Sequence, residues 1–232
     1  MHDNLGQRVL HANLAIVDAG LVTLTFGNAS GVDRAAGVMA IKPSGIPYGE
    51  LDAKAMVLVD LATGDVLEGS LRPSSDAPTH LVLYRRFAGL GGIVHTHSPF
   101  ATAWAQARRE IPCLGTTHAD HFAGSVPVTR ALTADEIGSA YEERTGDAIV
   151  EALEARGLDP LEVPAALVAQ HGPFAWGSDV ETAVENAIAL EAVAALAHRT
   201  FALQPGAVEL DTPLRERHFT RKHGPGRYYG QP

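Results

Sequence analysis

Apolar residues recur at helical spacing from Leu5 through Val9 to Ile16 and Val17 and stop at Gly20, the pattern of an amphipathic helix closed by a glycine. Val22, Leu24 and Phe26 then alternate with polar neighbours as strand residues do, and Gly27-Asn28-Ala29-Ser30 reads as the turn after them. Val38 to Ile41 is the returning strand, ending in Lys42-Pro43-Ser44-Gly45, and Val57-Leu58-Val59 faces Val66-Leu67 across Ala62-Thr63-Gly64-Asp65. Pro78 sits in the first turn of a helix carrying Leu81, Tyr84 and Phe87. Gly91-Gly92 leads into the apolar strand Ile93-Val94, which His95 to His97 continue. Ser98-Pro99 opens another helix, and Thr133 with Glu136 and Ser178 with Glu181 match the reciprocal capping pattern of two more. Ala166 to Ala169 is a buried strand that delivers Gln170-His171-Gly172-Pro173, before a long helix from about Val180 to His198. Short strands joined by tight turns and interleaved with helices predict one α/β domain over residues 1–232, its central, mostly antiparallel sheet covered by helices.

Composition agrees with a packed globular chain: 232 residues, 46% hydrophobic and 19% charged. The net charge of -9 argues against a surface made for nucleic acid or anionic lipid, both of which need basic patches. The apolar run from Ala187 to Ala197 is interrupted by Glu191 and falls short of the ~20 residues that cross a bilayer, and Met1-His2-Asp3-Asn4 does not open a secretory signal. The expected compartment is the cytoplasm. With Cys113 as the sole cysteine, neither an internal disulfide nor a thiolate zinc knuckle can form, so any metal must be held by imidazole and carboxylate. Cys113 itself reads as a small buried residue.

Imidazole is available in a suggestive place. Strand residues two apart share a face, so His95 and His97 project together about 7 Å apart along the chain while Thr96 faces away. An ordinary polar strand face is the competing reading. His171 stands in the same position at the end of another strand, which makes it the third candidate ligand. Asp76, opening a helix after Ser74-Ser75, reads by position alone as a carboxylate placed on the helix dipole, with a fourth ligand as the alternative. Nitrogen donors with at most one carboxylate suit zinc or a neighbouring transition metal better than magnesium or calcium.

Six segments carry a resemblance: Gly27-Asn28-Ala29-Ser30, Lys42-Pro43-Ser44-Gly45, Pro73-Ser74-Ser75-Asp76, His95-Thr96-His97, Gly115-Thr116-Thr117-His118-Ala119-Asp120, and His171-Gly172-Pro173-Phe174-Ala175-Trp176-Gly177. Through them the chain resembles the class II sugar-phosphate aldolase and epimerase family over essentially its whole length. Arg221-Lys222-His223-Gly224 followed by Tyr228-Tyr229-Gly230-Gln231 is similar to the ends of the family's L-ribulose-5-phosphate 4-epimerase branch rather than to those of its plain aldolases. The resemblance implies the class II aldolase/epimerase fold and one zinc ion, replaceable by other divalent transition metals, on Asp76, His95, His97 and His171. It implies a substrate phosphate on the loops that read Gly27-Asn28, Ser44-Gly45 and Ser74-Ser75, with Lys42 close by. Small residues, hydroxyls and one lysine suit an anion. It further implies a homotetramer with active sites at subunit interfaces, where residues 214–232 pack. From Leu214 to Arg227 that segment holds five Lys or Arg against one Glu.

The activity so implied is interconversion of L-ribulose 5-phosphate and D-xylulose 5-phosphate. Carbon 4 lies β to the carbonyl and carries no acidic hydrogen, so inversion requires retro-aldol cleavage between carbons 3 and 4, rotation of the aldehyde and re-addition. Attack on either face needs two proton-transfer groups, which the resemblance assigns to Asp120 and Tyr229, with Thr116 and His218 as accessories. Two alternatives stand beside it: a lyase of the same family acting on a related ketose 1-phosphate, and a non-catalytic metal-binding protein. Gln170 before His171 and Pro99-Phe100 after the histidine strand depart from the usual pattern and bear on the pocket rim.

Overall fold

The computed structural model describes residues 2–68, 70–224 and 226–228. After helix α1 (His2–Asp18) come strands β1 (Asn28–Asp33), β2 (Val38–Ile41), β3 (Val57–Asp60) and β4 (Val66–Glu68), then helix α2 (Ala77–Arg86) and strand β5 (Gly92–His95). Helices α3 (Pro99–Gln106), α4 (Thr116–Ala119), α5 (Ala134–Gly138) and α6 (Tyr141–Glu154) lead to β6 (Ala165–Leu167) and β7 (Pro173–Gly177), and the chain closes with α7 (Val180–Leu203) and α8 (Thr212–His223). The strands form one sheet in the order β4-β3-β2-β1-β5-β7-β6, with every ladder antiparallel. This is the α/β architecture expected from the pattern of short strands and helices.

Because strand side chains alternate, the buried strands supply cores on both faces of the sheet. Ala29, Val94, Ala165, Leu167 and Ala175 join Ile16, Trp104 and the apolar face of α7 on one side of the sheet. Met39, Ile41, Ile93, Ala166, Phe174 and Trp176 join Leu81, Tyr84, Ile149 and Leu153 of α2 and α6 on the other. The sheet is thus the middle of three layers, and the parity of β5 places His95 on the α2 and α6 side with Ile93. Buried polar side chains tie the layers together: Asn13 of α1 donates to the Ala29 carbonyl at 3.0 Å and accepts from the Ala29 amide at 2.9 Å.

Several local expectations are corrected. Residues 22–27 are not a strand: no neighbouring strand pairs with them, and Leu24 sits in the left-handed region (φ 55°), 78% exposed. Alternation alone does not make a strand where no neighbouring strand lies alongside to pair with it. The supposed turn at Gly27-Asn28-Ala29-Ser30 is instead the entry to β1, with only Gly27 (φ 109°) outside it. Strand β5 ends at His95, so His97 lies beyond the ladder. The cap of α7 is Asp179, whose side chain accepts from the Thr182 amide, rather than Ser178, and Glu181 instead pairs with Arg8. Helix α7 runs past His198 to Leu203, since no glycine or proline interrupts it before Pro205. The capping box at Thr133 and Glu136 is present as expected, and Cys113 is buried.

The interruption at Glu191 has a structural use. Its carboxylate accepts from the Phe100 amide at 2.8 Å and the Ala101 amide at 2.9 Å, satisfying the open N-terminus of α3, for which Ser98 supplies no side-chain cap. Replacing Glu191→Ala leaves two partly buried amides without an acceptor, and the expected loss is about 2 kcal/mol in urea unfolding. A loss below about 0.5 kcal/mol would contradict this role.

Candidate metal centre

The register of the sheet builds the site. Asn28 of β1 pairs with His95 of β5, and His95 pairs with Phe174 of β7, so these three side chains form one row across adjacent strands on the α2 and α6 face. His95 is buried and its ring stacks on Phe174 with centroids 4.2 Å apart. Its Nδ1 donates to the Pro173 carbonyl at 2.9 Å. A carbonyl can only accept, so Nδ1 carries the donated proton and Nε2 is the nitrogen left to face the cleft.

Beyond the end of β5 the chain stays extended, and His97 comes back to place its Nε2 3.2 Å from that of His95. His171 arrives from the loop between β6 and β7. Gln170 before it adopts φ 63°, held by a bond from its amide to the Ala105 carbonyl and by Arg108 on its side-chain oxygen. Gly172 after it leaves room that a side chain would take, since a Cβ there would lie 2.8 Å from the Thr96 carbonyl oxygen. Ring nitrogens of His95, His97 and His171 thereby lie within 4.8 Å of one another. Burial, aided by the neighbouring His95, lowers the pKa of His97 and takes that of His171 down to about 4. Both rings are therefore neutral near pH 7 and keep their lone pairs.

Asp76 stands at the N-terminus of α2, yet its side chain makes no capping bond there. It accepts instead from the Asn28 amide at 2.7 Å. Burial pushes its pKa up, but its interactions with the neighbouring His95, His80 and His171 rings and the Asn28 bond outweigh that and hold it below the ordinary carboxylate range. Its orientation is toward the imidazoles, although it stands outside the tight trio. Three nitrogen donors with one adjacent carboxylate fit zinc or a neighbouring transition metal, and they leave coordination positions for substrate oxygens.

The same residues line a cleft of about 320 Å³ with Phe26, Gly27, Asn28, Lys42, Ser44, Gly45, Ser74 and Ser75. The loops around residues 44 and 74 are laced together, because the Ser44 amide donates to the Arg72 carbonyl and the Ser74 amide to the Lys42 carbonyl. The cleft also holds serine hydroxyls, that of Ser74 accepting from the Asn28 amide, and the buried Lys42 ammonium, which donates to the Ile46 and Pro43 carbonyls, lies 4.7 Å above the Tyr48 ring and has its pKa lowered by burial. A larger surface cleft, about 450 Å³, opens at the far end of β1 around Arg8, Asp33 and Arg34, but it gathers no imidazole and we place no chemistry there.

Asp120, Thr116 and His218 are not among the residues lining the histidine cleft. They form a second group between α4 and α8. Asp120 accepts from Arg221 at 2.7 and 3.0 Å and from His218 Nδ1 at 3.0 Å. Burial raises its pKa, but the bonds from Arg221 and His218 win and hold the carboxylate ionised. Asp120 is thus an engaged ion-pair member rather than a solvated loop charge. Tyr229 lies outside the described residues.

Residues 7–198 match the family model of the Class II Aldolase and Adducin N-terminal domain. The chain belongs to this family. Among solved structures, an L-fuculose 1-phosphate aldolase is 26% identical over 93% of this chain and 94% of its own length, with a TM-score of 0.78. The L-fuculose-1-phosphate aldolase from Thermus thermophilus is 25% identical over 89% and 98% respectively, with a TM-score of 0.66. YgbL from Klebsiella pneumoniae, provisionally described as an aldolase/epimerase/decarboxylase, shares the fold at 23% identity over 94% and 98%, with a TM-score of 0.74. The antiparallel sheet with its helical layers is the class II aldolase fold.

Sequence reasoning missed three neighbours of the site. Phe26 lines the cleft and lies 6.0 Å from the His97 ring. His80 follows Asp76 by one helical turn, a spacing that could have revealed it, and burial drives its pKa to about 3. Tyr141, which reaches the His171 ring, carries no signal in the sequence.

His118, within the Thr117-His118-Ala119-Asp120 segment, supplies a prediction independent of any metal. It is buried with Nε2 donating to the Gly124 carbonyl at 2.8 Å, and burial lowers its pKa from 6.5 to about 4. Between pH 6.5 and 4 the unfolded chain binds a proton here that the folded chain refuses, so stability falls with falling pH, by at most about 1.4 kcal/mol per unit for this group. Urea unfolding of metal-free protein at stepped pH should show a shallower dependence in His118→Gln than in the parent, and equal slopes would contradict the assignment.

Proposed function

We propose that this chain is a metal-dependent enzyme that breaks and re-forms the carbon–carbon bond β to the carbonyl of a phosphorylated ketose. In the finer reading it thereby interconverts L-ribulose 5-phosphate and D-xylulose 5-phosphate. The observation that carries the reading is the trio of clustered imidazoles beside Asp76, opening into a cleft that also carries serine residues and Lys42. His95, His97, His171 and Asp76 would hold the ion, with zinc the natural choice for that donor set. Bound there, it supplies a Lewis acid for the negative charge that develops on substrate oxygen during retro-aldol cleavage.

The chain's own residues do the rest. Lys42 and the hydroxyls of Ser44, Ser74 and Ser75 bind the phosphate, with Gly27, Asn28 and Gly45 shaping the space around it, and so fix which carbons face the ion. Asp120, kept ionised by Arg221 and His218, takes the proton of the 4-hydroxyl of one epimer, and Tyr229 serves the other. Thr116 and His218 support that pair. Since Asp120 does not line the cleft of its own protomer, a second copy supplies it, in keeping with a homotetramer whose sites lie at subunit interfaces and whose residues 214–232 close them.

What favours epimerisation over cleavage is the pattern Asp120 with Arg221-Lys222-His223-Gly224 and Tyr228-Tyr229-Gly230-Gln231. The second reading, a lyase releasing both halves of a ketose 1-phosphate, is favoured by the likeness to L-fuculose 1-phosphate aldolase. Products decide between them. Zinc-loaded protein given L-ribulose 5-phosphate is expected to yield D-xylulose 5-phosphate alone, whereas accumulation of two fragments, or turnover only of a ketose 1-phosphate with release of dihydroxyacetone phosphate, would establish the lyase. Ending the chain after Lys222 is expected to abolish epimerisation, by more than about 100-fold, with zinc still bound. Full turnover by the shortened chain would refute the role given to its end.

A further inference from the structure

We infer that Tyr141 is a positioning residue for the third imidazole: its hydroxyl fixes the ring orientation and proton placement of His171, and so sets how tightly the three-histidine site holds a divalent metal. This rests on the metal-centre reading above and deepens it.

Each ring of the trio faces the same requirement. A histidine that binds a cation through one nitrogen must carry its proton on the other, and that N–H needs an acceptor that also stops the ring from turning. His95 meets it through its bond to the Pro173 carbonyl and its stacking on Phe174. His171 comes from a loop and has no such carbonyl. Among the described residues the only hydrogen-bond partner of its ring is the Tyr141 hydroxyl, 3.3 Å from Nδ1. The Tyr141 ring also lies alongside, 6.2 Å between centroids and tilted by 30°. With Nδ1–H donating to the Tyr141 oxygen, the Nε2 lone pair is left for the ion.

The tyrosine is itself held in place from the direction of the other candidate ligand. Tyr141 is the first residue of α6, and the next carbonyl, that of Glu142, accepts a 2.5 Å bond from the hydroxyl of Thr79, a buried residue of α2. Asp76 stands three residues before Thr79, at the start of that helix. Close packing keeps the two helices in register: a Cβ at Gly146 of α6 would lie 2.7 Å from that of Val82 of α2. Asp76 and the support of His171 are therefore both anchored on the α2 and α6 pair, and an ion on His171 is tied to the layer that carries Asp76. The Tyr141 side chain also interacts with that of Thr145, one turn on in the same helix, where the Thr145 hydroxyl donates to the Tyr141 carbonyl.

Tyr141→Phe removes the hydroxyl and keeps the ring. Zinc affinity measured by chelator competition is expected to fall about 10- to 100-fold, the visible absorption bands of the cobalt-substituted protein to shift, and the urea midpoint of the metal-free protein to stay unchanged. Arg144→Ala, which removes the exposed Arg144 to Asp147 pair on the same helix, is expected to leave zinc affinity as it was. Equal zinc affinity and an identical cobalt spectrum in parent and Tyr141→Phe would overturn the inference while leaving the metal centre intact. A parent chain that binds no divalent ion would overturn both.

Discussion

Three imidazole rings, one buried, one half-buried and one at the open side of the cleft, share a space in which their nitrogens lie within 4.8 Å, and nothing in the hydrophobic packing of the fold requires this. Burial disfavours the protonated rings, and their mutual proximity disfavours them further. Rings that stay unprotonated can turn lone pairs into this common volume, and the donors so gathered suit a cation. The rest of the site follows from that constraint. The row Asn28, His95 and Phe174 sets the level of the sheet at which the trio sits, and the Asn28 amide then turns Asp76 toward it.

A sheet with every ladder antiparallel is well suited to hold such a site. Its register is fixed by burial on both faces, since a slip of one residue on β5 would exchange Val94 with Ile93 and His95 and wreck two cores at once. The histidines therefore inherit their positions from the packing of Ile93, Phe174 and Trp176 rather than from their own weak mutual contacts. What the sheet does not fix is the His171 loop, and there the chain uses a left-handed Gln170, a glycine that no larger residue could replace, and contact with α6.

Much of this was legible beforehand because it rests on local rules. The spacing of Leu5, Val9 and Ile16, the paired valines of β3 and β4, and the capping box at Thr133 each report a short-range interaction, and each is found where expected. Failures came where tertiary context decides. Val22, Leu24 and Phe26 alternate but have no strand to pair with, and Asn28 looks like a turn residue yet begins β1 because β5 stands ready to receive it. The histidine trio was visible since two of its members share a strand end. Tyr141 and the Asp120 to Arg221 pair were not, being brought to their places by helices far along the chain. The reading of function divides in the same way: the family and the cleft are plain, whereas our proposal of epimerisation over cleavage rests on the sequence around Asp120 and after Lys222.

The central claim is that these imidazoles exist to hold one divalent ion. X-ray absorption at the zinc edge of protein loaded with zinc and freed of excess tests it most directly. The account predicts one zinc per chain with nitrogen and oxygen neighbours at about 2.0–2.2 Å and outer-ring scattering from three imidazoles, reduced to two in His171→Ala. A chain that retains no stoichiometric zinc, or whose bound zinc shows no imidazole scattering, would contradict it.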